Sequence, residues 1–159
     1  MNEGPGSHLR PFFPLARDFA VVTTPHFAFL VEEFGFSGPN VTDRGESYEA
    51  RYVGPGTAVV LNWDVEGGYF ACHLVPLLSN GDVHPDPDRW LSPNEVVAAR
   101  GAIDHWVGHD ELTGADELEF GRIMERQAAN LRTYCADVLR GDWSIYQTAH
   151  GWLEHPTDE

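Results

Sequence analysis

Three closely spaced runs of β-forming residues, between positions 46 and 75, constrain the fold of this chain most strongly. The runs are "ESYEARYV", "TAVVLNW" and "YFACHLV", and the last two are joined through the glycine-containing segment "DVEGG". Connections this short join antiparallel neighbours, because parallel strands need a crossover of about a dozen residues or more. The spacing therefore predicts an antiparallel meander, with a further strand near 39–43.

Helical patterns precede this predicted sheet. Residues 14–22 favour a first helix, and "TTPHFAFLVEEFGF" favours a second. In the second helix we expect Thr24 to be the N-cap, Pro25 to occupy the first helical position and Gly35 to follow the last turn.

Two more helical patterns follow the predicted sheet. In "SPNEVVAARG" we expect Ser92 to be the N-cap and Glu95 to complete a capping box. Apolar residues at helical spacing then predict one long helix from about 115 to 140.

These patterns define an α+β fold class. We expect an antiparallel sheet of three to five strands, packed against about four to five helices that include one long C-terminal helix. A length of 159 residues suits a single domain over 1–159. The composition predicts an irregular N-terminal lead-in at about 1–13 and a short flexible tail at about 154–159.

The tripeptide Arg140-Gly141-Asp142 matches the motif by which some secreted proteins bind integrins. Each residue also suits the end of a helix. Arg140 places a cation at the negative helix terminus, Gly141 suits the left-handed position, and Asp142 can cap a following helix. We therefore interpret the motif as structural.

Charge excludes one class of partner. The chain carries 25 acidic and 10 basic residues, for a net charge of −15. Such a field repels phosphate backbones, so we expect no binding to nucleic acid. The same field would attract a basic protein partner. The oligomeric state stays open, because Trp143, Ile145, Tyr146 and Trp152 can pack on the domain or on a second copy.

The sequence predicts a cytoplasmic protein. It has no run near the roughly 20 apolar residues that span a bilayer, so no membrane association is expected. The N-terminus lacks the pattern of a secretory signal. Cys72 and Cys135 are the two cysteines of the chain, whereas small exported domains usually carry more.

Two irregular segments are the predicted contact surfaces. The loop 79–91 offers His84, Asp86, Asp88 and Trp90. The segment 102–114 is also rich in aspartate, histidine and tryptophan. It contributes Trp106, Asp110 and Glu111 to the candidate binding residues. Trp90 and Trp106 are the candidate anchors, because tryptophan is enriched at the energetic centres of interfaces.

A metal site is the alternative. His105 and His109 are four residues apart, a spacing that places two imidazoles on one helical face. A zinc site needs further ligands, and Gly108 weakens the helix that the spacing requires. The main prediction is therefore that the protein holds no metal or cofactor.

The sequence nominates no catalytic residue. His73 lies in a strand run without an evident nucleophile beside it. Cys72 and Cys135 lie in apolar runs, where buried structural thiols are expected. The sequence thus favours a non-enzymatic protein.

Two segments and a strand pattern resemble a group of small, acidic bacterial proteins that are mostly uncharacterised. The segments are "FAFLVEEFGF" and "NLRTYCADVLRGDWSIY", and the strand pattern comprises Tyr52, Val59, Val60, Trp63 and Asp64. Proteins of this group often look like immunity proteins of bacterial toxin systems, which bind and neutralise a cognate toxin. The resemblance implies a protein-binding module that complexes a partner protein, and it brings no catalytic residues with it.

Overall fold

The structure, a computed structural model, describes residues 13, 15–65, 69–105, 107 and 117–150, with the backbone alone for 117–119. It has the predicted α+β class. Most of the predicted lead-in and the whole predicted tail lie outside the described residues.

Four strands form one antiparallel meander in the order β1-β2-β3-β4. They are β1 (Ser37–Asp43), β2 (Ser47–Val53), β3 (Thr57–Asp64) and β4 (Tyr69–Pro76). The registers of the β2–β3 and β3–β4 pairs are continuous from one end to the other, whereas the β1–β2 register shifts between Ser37 and Asn40. The prediction of a meander with a fourth strand near 39–43 is confirmed.

The two helices predicted before the sheet are not separated where the sequence indicates. Helix α1 runs Ala16–Phe27 without a break, so Pro25 lies inside it and Thr24 is not an N-cap. Phe19, Thr23 and Phe27 bury one face of the helix, which favours continuing it to Phe27. Pro25 has no amide hydrogen, so the carbonyl oxygen four residues before it has no helical partner. Pro25 is exposed near the last turn, where water can reach that oxygen. Helix α2, Phe29–Glu32, follows directly.

Helix α3, Pro93–Ala99, has the predicted capping box. The amide of Glu95 donates to Ser92 Oγ at 3.2 Å, and the amide of Ser92 donates to Glu95 Oε1 at 2.9 Å. The helix packs against β4 and against the longest described helix. The local sequence was sufficient here, because both capping partners are neighbours in the chain.

The predicted single helix over 115–140 is divided. Helix α4 runs Glu117–Tyr134, and helix α5, Ala136–Leu139, begins after Cys135. Helix α6, Tyr146–Ala149, follows later, so Asp142 does not cap it directly as predicted. Instead, Asp142 Oδ1 accepts the amide of Ser144 at 3.0 Å.

Gly141 shows why the chain turns after α5. Its φ is +93°, and a Cβ there would lie 2.7 Å from the carbonyl oxygen of Pro55. This close approach joins the helical C-terminal region to the β2–β3 turn and requires glycine. The position of the glycine supports the structural interpretation of the tripeptide.

We call the side of the sheet that carries Tyr52, Leu61 and Cys72 the core face. Helix α1 packs against β1 and β2, and α1 and α4 pack against each other. Where α4 meets the core face, large rings pack edge to face: Trp63 and Phe120 have centroids 5.3 Å apart, and Phe70 and Phe120 have centroids 5.8 Å apart. We call the opposite side, which carries Glu49, Val60 and His73, the second face.

Candidate functional site

The loop 79–91, predicted as a contact surface, is fixed to the sheet at both ends. Leu77 bridges to Val83 and Leu74 bridges to Leu91, each in antiparallel fashion. The indole N–H of Trp90 also donates to the carbonyl oxygen of His84 at 2.9 Å. Backbone pairing and this side-chain bond together hold the loop against the sheet.

The predicted loop residues shape a tight turn. The amide of Asp86 donates to His84 Nδ1 at 3.2 Å, and the amide of Asp88 donates to Asp86 Oδ1 at 3.0 Å. Asp86 thereby begins a short 3₁₀ helix, Pro87–Arg89. Asp86 and Asp88 are exposed, and His84 is half-buried.

Trp90 lies on the second face of the sheet. It packs against the cluster of Ala58, Val60 and Val75, and its ring centroid is 5.5 Å from that of His73. Burial lowers the pKa of His73. Trp90 therefore fixes the loop to the sheet, and only the exposed remainder of its ring can contact a partner.

The second predicted surface is described only in part, since Trp106, His109, Asp110 and Glu111 lie outside the described residues. Val107 is buried, and its amide donates to Asn94 Oδ1 at 3.0 Å. The side-chain amide of Asn130 donates to the carbonyl oxygen of His105 at 2.8 Å. These bonds tie the segment to α3 and α4.

His105 ends a 3₁₀ helix, Ile103–His105, and its ring lies 5.4 Å from that of Tyr134. Across the described ranges, no group of three or more His, Cys, Asp or Glu side chains could hold a metal ion. The pairing of His105 with His109 stays a prediction.

Trp143 and Tyr146 meet the loop from the C-terminal segment. The indole N–H of Trp143 donates to Thr57 Oγ1 at 2.9 Å, and the hydroxyl of Tyr146 donates to the carbonyl oxygen of Asp88. Both rings, with Ile145, pack against the main core. Of the two packing alternatives left open by the sequence, the structure shows these three residues packing on the domain itself.

The loop and the C-terminal segment enclose a cleft of about 350 Å³. Its lining consists of Pro76, His84, Arg89, Trp143, Ser144, Tyr146 and Gln147. The sequence had indicated His84 but not the other side of the cleft. Trp143 and Tyr146 are visible in the sequence as aromatic residues. The hydrogen bond that joins Tyr146 to the loop, however, links residues 58 positions apart.

The charges around Tyr146 are mixed. Burial raises the pKa of Tyr146, and Asp88, Asp86 and Glu95 act in the same direction, whereas Arg89 opposes them. The hydroxyl is therefore kept protonated, the form that donates to Asp88. The cleft thus has aromatic walls, hydrogen-bond donors and acidic residues at its edge.

A second hollow of about 440 Å³ lies beside α5, next to the tripeptide. Arg140 and Asp142 both line it, and the guanidinium of Arg140 lies 4.7 Å from the centroid of the Phe34 ring. On the other side, Arg100 pairs with Asp137. The charged side chains here hold neighbouring elements together.

The two thiols are poorly suited to nucleophilic catalysis. Cys72 and Cys135 are both buried and free. Burial raises the pKa of Cys72 to about 12 and raises that of Cys135 further. The reactive form of cysteine is the thiolate, which such a pKa keeps scarce at neutral pH. The prediction of buried thiols is confirmed.

Comparison of the chain with protein-family models, with curated proteins and with solved structures gave no match. None of the helices that the structure describes has the length and apolar character needed to cross a membrane. A functional argument therefore starts from the cleft and the loop themselves.

Proposed function

We propose that this protein is a bacterial, non-enzymatic protein-binding module of immunity-protein type, which complexes a basic partner protein in the cytoplasm. The observation that carries the proposal is the cleft of about 350 Å³ between the fixed acidic loop and the aromatic C-terminal segment. Concave, partly apolar sites with a few placed polar groups are typical binding sites.

Charge supports a basic partner. The loop exposes Asp82, Asp86 and Asp88, in a chain of net charge −15, and Asp86 and Asp88 lie close enough to the cleft to act on Tyr146. Arg89 is the loop's single arginine. Complementary fields raise association rates and disfavour wrong partners, and salt weakens the effect.

The aromatic wall supports a protein partner. Tryptophan, tyrosine and arginine are the residues most enriched at the energetic centres of interfaces. Trp143, Tyr146 and Arg89 all line the cleft. Aromatic side chains supply large contact area at a low entropic cost.

Rigidity supports binding without a large rearrangement. The loop is fixed through Leu74 and Leu77, and the aromatic wall through Thr57 and the carbonyl oxygen of Asp88. A surface ordered before binding loses little conformational entropy on association.

The experiment measures binding to the purified product of the gene that neighbours this protein's own gene. In the test variant Asp82 and Asp88 are both changed to Lys. Among the described residues, neither carboxylate accepts a hydrogen bond from a backbone amide, and that of Asp82 accepts from the side chain of Asn80 at 3.1 Å. The control variant changes Glu32 and Glu125, exposed residues on helices, to Lys, so the net charge changes equally.

We expect the loop variant to lower the association rate constant by about tenfold or more at low salt, because local complementarity steers encounter. The control should lower it much less. Equal effects of the two variants would remove the loop from the interface. Absence of binding by the unmodified protein would remove the proposed function for that partner.

A further inference from the structure

The lining of the cleft has a charge opposite to that of the molecule as a whole. The chain has 25 acidic residues. Yet among the described residues that line the cleft there is one arginine, Arg89, one histidine, His84, and no carboxylate. The acidic residues Asp86 and Asp88 lie nearby on the loop. The lining itself thus offers a guanidinium and an imidazole, and of the charges that act on Tyr146 that of Arg89 has the largest effect.

His84 presents a hydrogen-bond donor. Its Nδ1 accepts the amide of Asp86 at 3.2 Å, which leaves the proton of the neutral ring on Nε2. In the protonated ring Nε2 also carries a proton. Nε2 is thus a donor in either state, and no hydrogen bond within the described part of the chain uses it.

Arg89 presents a cation with free donors. Its amide donates to the carbonyl oxygen of Asp86 at 2.9 Å, which fixes its backbone at the end of the 3₁₀ helix. Its guanidinium forms no ion pair with any carboxylate of the described residues. Such a fork suits a carboxylate, to which arginine can donate two parallel hydrogen bonds.

The remaining walls are apolar and fixed. Pro76 and the rings of Trp143 and Tyr146 line the cleft beside these donors. A volume of about 350 Å³ is near the small end of the range for ligand pockets, which starts at about 300 Å³. The cleft therefore suits a single amino-acid residue better than a longer segment.

We propose that the cleft binds the C-terminal residue of the partner protein. The terminal carboxylate bonds to Arg89 and His84, and an apolar side chain packs against Trp143 and Tyr146. This proposal rests on the proposed function, and it names the part of the partner that enters the cleft. A chain end presents a carboxylate and a side chain on the same residue, so it matches both kinds of lining group.

The test uses three probes and the full chain. They are N-acetyl-Gly-Gly-Phe, the same peptide with an amidated C-terminus, and 3-phenylpropionate as a small carboxylate without a peptide. Binding is followed by ¹H–¹⁵N spectra at the amides of Arg89, Ser144 and Gln147. The same titrations are made with Arg89→Gln and with a control variant, Arg17→Gln, on the exposed side of α1.

We expect the free-acid peptide to shift these amides. We expect the amidated peptide and the Arg89→Gln variant each to weaken binding by about tenfold or more, because charge-assisted hydrogen bonds are the stronger ones. Arg17→Gln should bind as the unmodified protein does. Equal binding of both peptides would overturn the role of the carboxylate, and equally tight binding of 3-phenylpropionate would overturn the assignment to a chain end.

The failure of this proposal can be told from the failure of the proposed function. If the neighbouring-gene product binds and Arg89→Gln leaves its affinity unchanged, the interface stands and the cleft assignment falls. If the free-acid peptide binds as expected while that product does not, the cleft assignment stands and that partner is excluded.

Discussion

The two faces of the sheet are formed by the same strands but differ in what covers them and in the side chains that they carry. On the core face, Tyr52, Leu61 and Leu74 are almost fully buried beneath helices, and Trp63 and Phe120 pack edge to face. Burial of this kind removes large apolar area from water and dominates stability.

The second face combines apolar and charged groups. A small cluster, Ala58, Val60 and Val75, lies under the loop that carries Trp90. Further along, Glu49 is 7% exposed and forms ion pairs with Arg44 and Arg51, at 3.1 Å and 2.9 Å. The alternation of β2 places Glu49 on the side away from the core, and there its carboxylate is buried beside its two arginine partners.

This difference in cover between the two faces indicates where the proposed binding surface lies. The core face is occupied by helices that the chain supplies for stability. The second face is only partly covered, and its cover is the loop that also borders the cleft. We therefore expect substitutions on the core face to affect folding, and substitutions around the loop to affect binding.

The largest expected effect is on the core face. Phe120→Ala should lower the free energy of unfolding by about 3–5 kcal/mol, because it removes a ring at the centre of the aromatic cluster. Val60→Ala on the second face should lower it by only about 1–2 kcal/mol, from the loss of two carbon atoms. Guanidinium unfolding measures both. If Phe120→Ala does not fold, Phe120→Leu gives an intermediate value, and equal effects at the two positions would contradict the ranking.

The second largest effect is expected at Thr57, which links the core to the cleft. The buried hydroxyl of Thr57 donates to the carbonyl oxygen of Val138 and accepts from Trp143. Thr57→Val keeps the shape but leaves both partners unpaired, which should cost about 1–3 kcal/mol of unfolding free energy.

The same variant should also weaken binding in the cleft, because the Trp143 wall loses its hydrogen bond. Thr42→Val, on the exposed edge strand, is the matched control and should change stability by less than about 0.5 kcal/mol. Thermal unfolding and peptide titration of both variants check the prediction. A stable Thr57→Val variant with unchanged binding would show that the hydroxyl does not fix Trp143.

A smaller effect is expected at Glu49. The side chains of Arg44 and Arg51 are 51% and 34% exposed, so solvent screens both ion pairs. Glu49→Gln should therefore lower the free energy of unfolding by about 1 kcal/mol. The difference should shrink as sodium chloride is added, and a difference independent of salt would indicate packing as its origin.

The smallest effect concerns pH. Burial lowers the pKa of His73, so below about pH 6.5 the unfolded chain takes up a proton that the folded chain does not. The contribution of His73 to stability is therefore present above that pH and is lost as the pH falls. His73→Phe, which keeps a ring beside Trp90, should reduce the fall in stability between pH 7 and pH 5. Identical pH profiles of the two proteins would contradict this.

Several elements could be predicted because their causes are local. The capping box of Ser92 and Glu95 involves residues three apart, and the strands β2 to β4 follow from their own runs of β-forming residues. The prediction that a helix starts at Pro25 was wrong. Proline is typical of a helix start, but here the buried face that includes Phe19 and Phe27 extends the helix past it.

The sequence predicts only one of the two sides of the cleft. The loop of His84, Asp86 and Asp88 was recognised by its composition, but its contacts with Trp143 and Tyr146 join distant parts of the chain. Similarly, no local pattern placed Trp90 beside His73.

By itself, the sequence determined the α+β class, the antiparallel meander, the acidic character and the structural role of Gly141, since periodicity, charge and turn chemistry act between neighbouring residues. Only the tertiary structure decided that Glu49 is buried, that Pro25 lies inside a helix, and that a cleft with donors and aromatic walls forms beside an acidic loop. These features arise from packing between segments far apart in the chain, whose energies depend on the whole fold.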